Sequence, residues 1–145
     1  MKLLIVNGPN LNLLGKREPD IYGHETYADL CRRIADYAKI RGHQVRFVQS
    51  NHEGALIDAI QLAGEDGTQG IVINPGAYAH YSYAIHDALR SVDVPAVEVH
   101  ISDVSKREEF RQVSYARLAC IKTYMGLGLE GYRQAILYLK DYLTK

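Results

Sequence analysis

The apolar run KLLIV at residues 2–6 decides the fold class, because its hydrophobic side chains occupy consecutive rather than alternate positions. Such a run is typical of a parallel strand that is buried on both faces of its sheet. Similar short runs recur along the chain, and each is followed by a polar loop or a helical pattern. These further predicted strands are QVRFVQS (44–50), GIVIN (70–74), PAVEVH (95–100) and a weaker one near 119–124.

The segments between these runs carry apolar residues every three or four positions, which predicts amphipathic helices over 26–42, 53–64, 82–92 and 130–143. Thr26, followed by Asp29, and Ser82 are predicted helix N-caps, and Gly42 is expected to end the first helix. Strands that alternate with helices predict one α/β domain over residues 1–145. Its flavodoxin-like, doubly wound, five-stranded parallel sheet should have the strand order 2-1-3-4-5, with helices on both faces.

The acidic and basic residues balance at 17 each, so the chain lacks the basic excess typical of proteins that bind nucleic acids or anionic membranes. No apolar run approaches the length of a membrane helix, and no signal-peptide pattern is visible. Cys31 and Cys120 do not have the spacing of a zinc site. We therefore expect a cytoplasmic protein with a small-molecule ligand, no metal, and no nucleic-acid or membrane partner.

Chemically unusual residues follow the first, third and fourth predicted strands, in the segments 7–26, 74–82 and 98–111. In a doubly wound sheet, ligands bind beyond the carboxyl ends of the strands near the topological switch point, so one pocket should gather all three segments. The first segment has no phosphate-binding glycine fingerprint. It is either a lid that carries Arg17 and Tyr22 or a packed surface loop whose charges are solvated.

Glu98 and His100 are two residues apart on a predicted strand and therefore point to the same side of it. A carboxylate beside an imidazole makes a usable general acid, and the alternative is a buried histidine paired for structural reasons. Arg107 and Arg111 have the spacing of one helical face. They would either bind an anion or pair with the adjacent glutamates, Glu108 and Glu109. His80, in a turn after the third strand, contacts a ligand or is an ordinary loop residue.

Four stretches, in this order and spacing, resemble type II 3-dehydroquinate dehydratases over almost the full length of the chain: NGPNLNLLGKREPDIYG (7–23), NPGAYAHYS (74–82), EVHIS (98–102) and REEFR (107–111). The resemblance implies a flavodoxin-like catalytic subunit that assembles as a dodecamer, a tetramer of trimers. It also implies cofactor-free dehydration of 3-dehydroquinate to 3-dehydroshikimate by anti elimination through an enolate. The reaction would belong to the shikimate pathway of aromatic amino acid biosynthesis or to quinate breakdown.

The resemblance also implies which residues carry the chemistry. Tyr22 would remove the proton at C2, and Arg17 would lie beside it and favour the tyrosinate. Asn10 would help to hold the water that stabilises the enolate. His100, oriented by Glu98, would protonate the departing C1 hydroxyl.

The remaining implied residues bind the substrate. Asn74 and the backbone N–H groups of Ile101 and Ser102 would hold its carboxylate. His80 and Arg111 would bind its ring hydroxyls.

Two further residues have implied roles at the margin of the site: Asp87 would reach the site of a neighbouring subunit, and Arg107 would close the lid region. Four positions depart from the commoner family pattern, namely Ala79, Gln112, Val113 and Lys122. These departures bear on the packing of the last strand and on subunit contacts rather than on the chemistry.

Two other classes of function remain open from the residues. A flavodoxin-like module could bind FMN or another small molecule without catalysis, and an inactive relative could serve as a scaffold. A dehydratase could also use a lysine Schiff base, for which Lys122 is the one candidate that the sequence does not exclude.

Overall fold

The computed structural model describes residues 1–145 except the side chain of Tyr22. Its five strands form one sheet in the order β2-β1-β3-β4-β5, and every neighbouring pair is parallel. This confirms the predicted doubly wound topology. The strands are β1 (Lys2–Asn7), β2 (Gln44–Gln49), β3 (Gly70–Asn74), β4 (Ala96–His100) and β5 (Lys122–Met125).

The four predicted helices are present, with ends within two residues of the predicted ones, and a short helix precedes them in the opening loop. The helices are α1 (Pro19–Tyr22), α2 (Tyr27–Ile40), α3 (Glu53–Ala63), α4 (Tyr83–Ser91) and α5 (Glu130–Leu143). None of the helices in the described part of the chain combines the length and the apolar character that crossing a membrane requires.

The predicted caps at the starts of α2 and α4 are confirmed. Thr26 and Asp29 form a reciprocal capping box, in which each side chain accepts a hydrogen bond from the other residue's backbone N–H. The hydroxyl of Ser82 accepts the N–H of Ile85 at 3.0 Å. After α2, Gly42 adopts the left-handed conformation (φ 74°) that ends a helix without a steric penalty.

The last strand begins at Lys122, later than the predicted start near residue 119, because Ala119 is the last residue of a 3-10 turn (Ala116–Ala119). The hydroxyl of Ser114 accepts the N–H of Arg117 at 3.2 Å and so stabilises the start of this turn. Lys122, one of the departures from the family pattern, pairs in register with Val97. This departure therefore leaves the strand intact. The ammonium of Lys122 lies within 6 Å of the ring centroids of Tyr124 and Tyr138.

The hydrophobic core has two layers, one on each face of the sheet. Alternate residues of β1 serve the two layers: Leu3 and Ile5 pack with α2 and α5, whereas Leu4 and Val6 pack with α3 and α4. Burial on both faces explains why the strand shows consecutive apolar residues rather than alternation. The sheet is therefore covered by helices on both faces, as predicted.

The opening loop is anchored to the same core. Leu11 and Leu14 are both buried and join the layer formed by α2 and α5. Between these anchors and α2, the chain carries Arg17 and the short helix α1. A loop fixed in this way can hold polar side chains at the edge of the sheet.

Candidate active site

A cavity of about 110 Å³ lies beyond the carboxyl ends of β1, β3 and β4. Asn7 at the end of β1 and Asn74 at the end of β3 are register partners, so the cavity lies at the topological switch point. Its walls bring together residues from all three segments that the sequence indicated. The residues of the predicted site that line it are Asn10, Arg17, Asn74, His80, His100, Ile101, Ser102, Arg107 and Arg111.

Two described residues of the predicted site, Glu98 and Asp87, do not line this cavity. Glu98 lies directly behind His100 and does not reach the cavity surface. Asp87 lies on α4 with 77% of its side chain exposed, and its carboxylate is 3.1 Å from Nδ1 of the neighbouring His86. The side chain of Tyr22 falls outside the described residues.

His100 is held by Glu98, as the two-residue spacing on β4 predicts. Nε2 of His100 lies 2.9 Å from Oε1 of Glu98, and Glu98 is completely buried. Burial acts to raise the pKa of Glu98, but hydrogen bonds from His100 and Ser114 and the charge of Arg117 outweigh it, and the net pKa is lowered. An ionised carboxylate can only accept hydrogen bonds, so Nε2 of His100 is the donor and Nδ1 is left for a ligand.

Three further residues surround the Glu98 carboxylate, and the sequence did not indicate them. The Ser114 hydroxyl donates to Oε1 at 2.5 Å and the Thr123 hydroxyl donates to Oε2 at 3.2 Å. The Arg117 guanidinium lies 3.5 Å from Oε2. With three hydrogen-bond donors and the positive charge of Arg117 around it, the buried carboxylate retains its charge and fixes the imidazole of His100.

His80 lies parallel to His100, with ring centroids 6.2 Å apart. Its Nδ1 donates to the backbone carbonyl of Val113 at 2.7 Å. Burial, together with the charges of His100 and Arg111, lowers the pKa of His80, although the bond to Val113 acts in the opposite direction. His80 is therefore neutral near pH 7, and its unprotonated Nε2 is an acceptor suited to a ligand hydroxyl. The departure at Val113 does not affect this contact, because the carbonyl belongs to the backbone.

Arg107 and Arg111 both pair with Glu108, and both also line the cavity, so the pairing does not remove either guanidinium from the cavity wall. They do not share one helical face as their spacing suggested, because they fall on separate 3-10 turns. Gln112 holds these turns together by donating to the carbonyls of Val104 and Arg107 at 3.0 and 3.1 Å. The predicted face is broken because Arg107, which ends the first turn, has extended backbone (φ −105°, ψ −167°).

The segment after β2 also supports the site, although no motif in the sequence indicates it. The side chain of Asn51 accepts the backbone N–H of Asn10 at 2.9 Å. Asn10 is held in the left-handed conformation, with a φ of 68°. The Tyr78 hydroxyl donates to the carbonyl of Asn51 at 2.7 Å, which ties this segment to the turn after β3. These contacts fix the start of the opening loop.

Lysine chemistry finds no support in the described cavity wall, where no lysine is present. Lys122 is exposed on the edge strand β5, between the rings of Tyr124 and Tyr138. Among the side chains that the structure describes, no group of three or more histidine, cysteine or acidic residues is arranged to hold a metal ion.

Comparisons with known proteins match nearly the whole chain to one family. The family model "Dehydroquinase class II" matches residues 1–140. The 3-dehydroquinate dehydratase of Thermotoga neapolitana is 54% identical over 140 residues, which cover 97% of this chain and 94% of the relative. That of Clostridium beijerinckii is 49% identical over 140 residues, with coverages of 97% and 96%.

Solved structures give the same result. The crystal structure of type II dehydroquinase from Butyrivibrio crossotus has a TM-score of 0.96 at 55% identity, and the match covers 97% of each chain. The type II dehydroquinase from Propionibacterium acnes has a TM-score of 0.91 at 42% identity, with coverages of 99% and 97%. Sequence and fold therefore agree that the chain belongs to the class II dehydroquinase family.

Proposed function

We propose that the chain is a hydro-lyase that converts 3-dehydroquinate to 3-dehydroshikimate without a cofactor, in the shikimate pathway or in quinate breakdown. One observation carries the proposal: His100, backed by the buried and ionised Glu98, lies in the same cavity as Arg17, Arg107 and Arg111. An acid and several cations in one cavity suit an anionic substrate that loses a hydroxyl group. The named relatives carry out this class of reaction.

The first step removes a proton from C2, next to the ketone, and requires a base. Tyr22 is our candidate, although its side chain falls outside the described residues. A tyrosine with an ordinary pKa of about 10 is only about one part in a thousand ionised at pH 7. A cation within about 4–6 Å lowers such a pKa by roughly 1–3 units. Arg17 lines the cavity from the same loop and would supply this charge.

The enolate that forms next requires a hydrogen-bond donor, which we assign to a water held by Asn10. His100 then delivers a proton from Nδ1 to the departing C1 hydroxyl, while Nε2 stays bound to Glu98. Tyr22 ends α1 in the loop after β1, whereas His100 ends β4, which would allow them to act from opposite faces of the ring. Opposite faces are the requirement for anti elimination.

The remaining polar groups of the cavity would bind the substrate. Asn74 and the backbone N–H groups of Ile101 and Ser102 hold its carboxylate in this proposal. The acceptor Nε2 of His80 and the guanidinium of Arg111 complement its ring hydroxyls. Arg107, 3.5 Å from the Ser102 hydroxyl, closes the lid region over the ligand.

We also infer that residues 1–145 act as one domain within a dodecamer, a tetramer of trimers, in which Asp87 completes a neighbour's site. Asp87 is exposed, and so is Tyr83 one turn earlier on α4, at 65%. Leu118, on the 3-10 turn that packs against α4, is 71% exposed. Exposed apolar surface of this kind marks an interface. A sizing column should give about 196 kDa, twelve times the 16.3 kDa subunit, and a monomer would contradict the assembly.

The alternative of an FMN-binding module has less support, because the loop after β1 uses Leu11 and Leu14 to fill the core. A phosphate cradle requires free backbone N–H groups and glycines there instead. The unpaired cysteines Cys31 and Cys120 fit the reducing cytoplasm in which we place the protein.

The function is tested by mixing the protein with 3-dehydroquinate and no added cofactor, and following the ultraviolet absorbance of the conjugated enone product. We expect absorbance to rise in proportion to enzyme concentration and to be unaffected by a chelator. No product would overturn the proposal and favour a scaffold, and a yellow protein with bound flavin would favour the FMN module.

A further inference from the structure

A buried tyrosine bridges the two strand ends beneath the cavity. Tyr132, on α5, is completely buried, and its hydroxyl donates to Oδ1 of Asn7 at 2.6 Å. The same hydroxyl accepts Nδ2 of Asn74 at 3.0 Å. Because Asn7 and Asn74 are register partners on β1 and β3, the hydroxyl ties the two strands together at the switch point.

These contacts determine how the amide of Asn74 is oriented. Its Oδ1 accepts the backbone N–H of Gly76 at 3.2 Å, and one hydrogen of Nδ2 goes to Tyr132. The amide group has two hydrogens on Nδ2, so one remains on a side chain that lines the cavity. Rotating the amide by 180° would place two donors against each other at Gly76. The amide is therefore held as a donor toward the cavity.

The Tyr132 hydroxyl is suited to this task because it keeps its proton. Burial raises the pKa of Tyr132 above its ordinary value, with a smaller opposing effect from Asn74. A neutral phenol both donates and accepts, and both capacities are used here. Replacing it with an apolar ring would leave two buried atoms, Oδ1 of Asn7 and Nδ2 of Asn74, without the hydrogen bond that each makes to this hydroxyl.

We infer that Tyr132 is a positioning residue for substrate binding, which acts through Asn74 by holding its amide as a hydrogen-bond donor to the substrate carboxylate. The inference rests on the proposed function, in which Asn74 contacts that carboxylate. Through its two hydrogen bonds, Tyr132 makes α5 part of the support of the site. Tyr132 itself touches no substrate.

The test is the variant Tyr132→Phe, with Tyr138→Phe as the matched control. Tyr138 is on the same helix, and among the described residues its hydroxyl has no hydrogen bond to one that lines the cavity. Removing the Tyr132 hydroxyl should raise KM about tenfold and leave kcat within about twofold, because the carboxylate is bound alike in the ground and transition states. The control should change neither constant. Asn7→Leu, which removes the acceptor that orients the hydroxyl, should raise KM in the same direction if Tyr132→Phe does not accumulate.

A double-mutant cycle with Asn74→Ala separates this inference from the proposed function. If Tyr132 acts through Asn74, adding Tyr132→Phe to Asn74→Ala should raise KM by less than about twofold. An unchanged KM in Tyr132→Phe, or a tenfold effect that persists without Asn74, would overturn the inference alone. An unchanged KM in Asn74→Ala would remove Asn74 from carboxylate binding, and this inference with it.

Discussion

Replacing Ser114 with alanine should weaken the hold on His100 in a way that depends on pH. The Ser114 hydroxyl donates at 2.5 Å to Oε1 of Glu98, the same oxygen that His100 contacts. A hydrogen bond to a charged group contributes about 1.5–3 kcal/mol, and one pKa unit corresponds to about 1.4 kcal/mol. The pKa of Glu98, now below its ordinary value, should therefore rise in Ser114→Ala, which loses one of the hydrogen bonds that lower it.

The sign of the pH dependence follows from that lowered pKa. A carboxyl whose folded pKa is depressed stabilises the fold above its unfolded pKa of about 4.3, and this stabilisation is lost as pH falls through the folded pKa. Ser114→Ala should thus lower the free energy of unfolding by about 1.5–3 kcal/mol near pH 7 and by less near pH 4. Its kcat/KM, relative to the unmodified chain, should fall further near pH 5 than near pH 7, where Glu98 remains ionised.

The measurements are urea unfolding curves at one protein concentration and kcat/KM, each at these pH values. Ser105→Ala is the matched control, because its hydroxyl also donates to a carboxylate, that of Asp103 at 2.5 Å, but at the exposed surface. Surface changes of this kind stay within about 0.5 kcal/mol. An equal loss in both variants, or a loss in Ser114→Ala that is the same at every pH, would refute the reasoning.

Three further predictions concern Tyr22 as the base, Arg17 beside it, and Lys122 as the candidate for a Schiff base. Tyr22→Phe should lower kcat by a factor of about 10² to 10⁴ while calorimetry still shows ligand binding, and an active variant would remove Tyr22 from the base role. Arg17→Gln should raise the pKa of the Tyr22 phenol by roughly 1–3 units, so kcat/KM should fall near pH 7 and recover partly toward alkaline pH; a profile parallel to that of the unmodified chain would contradict this. Borohydride added during turnover should leave the mass of the protein unchanged and Lys122→Met should remain active, whereas a trapped adduct lost in that variant would establish a Schiff base.

The sequence predicts the strands and helices whose buried residues recur with a regular period. The run at 2–6 is a strand buried on both faces, and the stripe of Leu30, Ile34 and Ala38 is the buried face of α2. Each of these patterns is local, because burial on a strand or a helix has a fixed period. The contact between Glu98 and His100 is also predictable from local spacing, because alternate residues of a strand point to the same side.

Contacts between distant residues leave no such pattern. Ser114 and Thr123 lie 16 and 25 residues beyond Glu98 and reach it only because a 3-10 turn and β5 fold back against β4. Asn51 lies in a short segment with no recognisable motif, yet the strand order places it beside Asn10. The serine, threonine and asparagine that support the site are common surface residues, so their identity alone indicates nothing.

The most direct test of the central claim is a crystal structure with a substrate analogue bound. We expect the analogue's carboxylate at Asn74 and at the backbone N–H groups of Ile101 and Ser102. The phenol of Tyr22, beside Arg17, should face C2 from one side of the ring, and His100 should face the C1 hydroxyl from the other. An analogue bound with Tyr22 and His100 on the same face, or with either of them far from the ring, would contradict the proposed elimination.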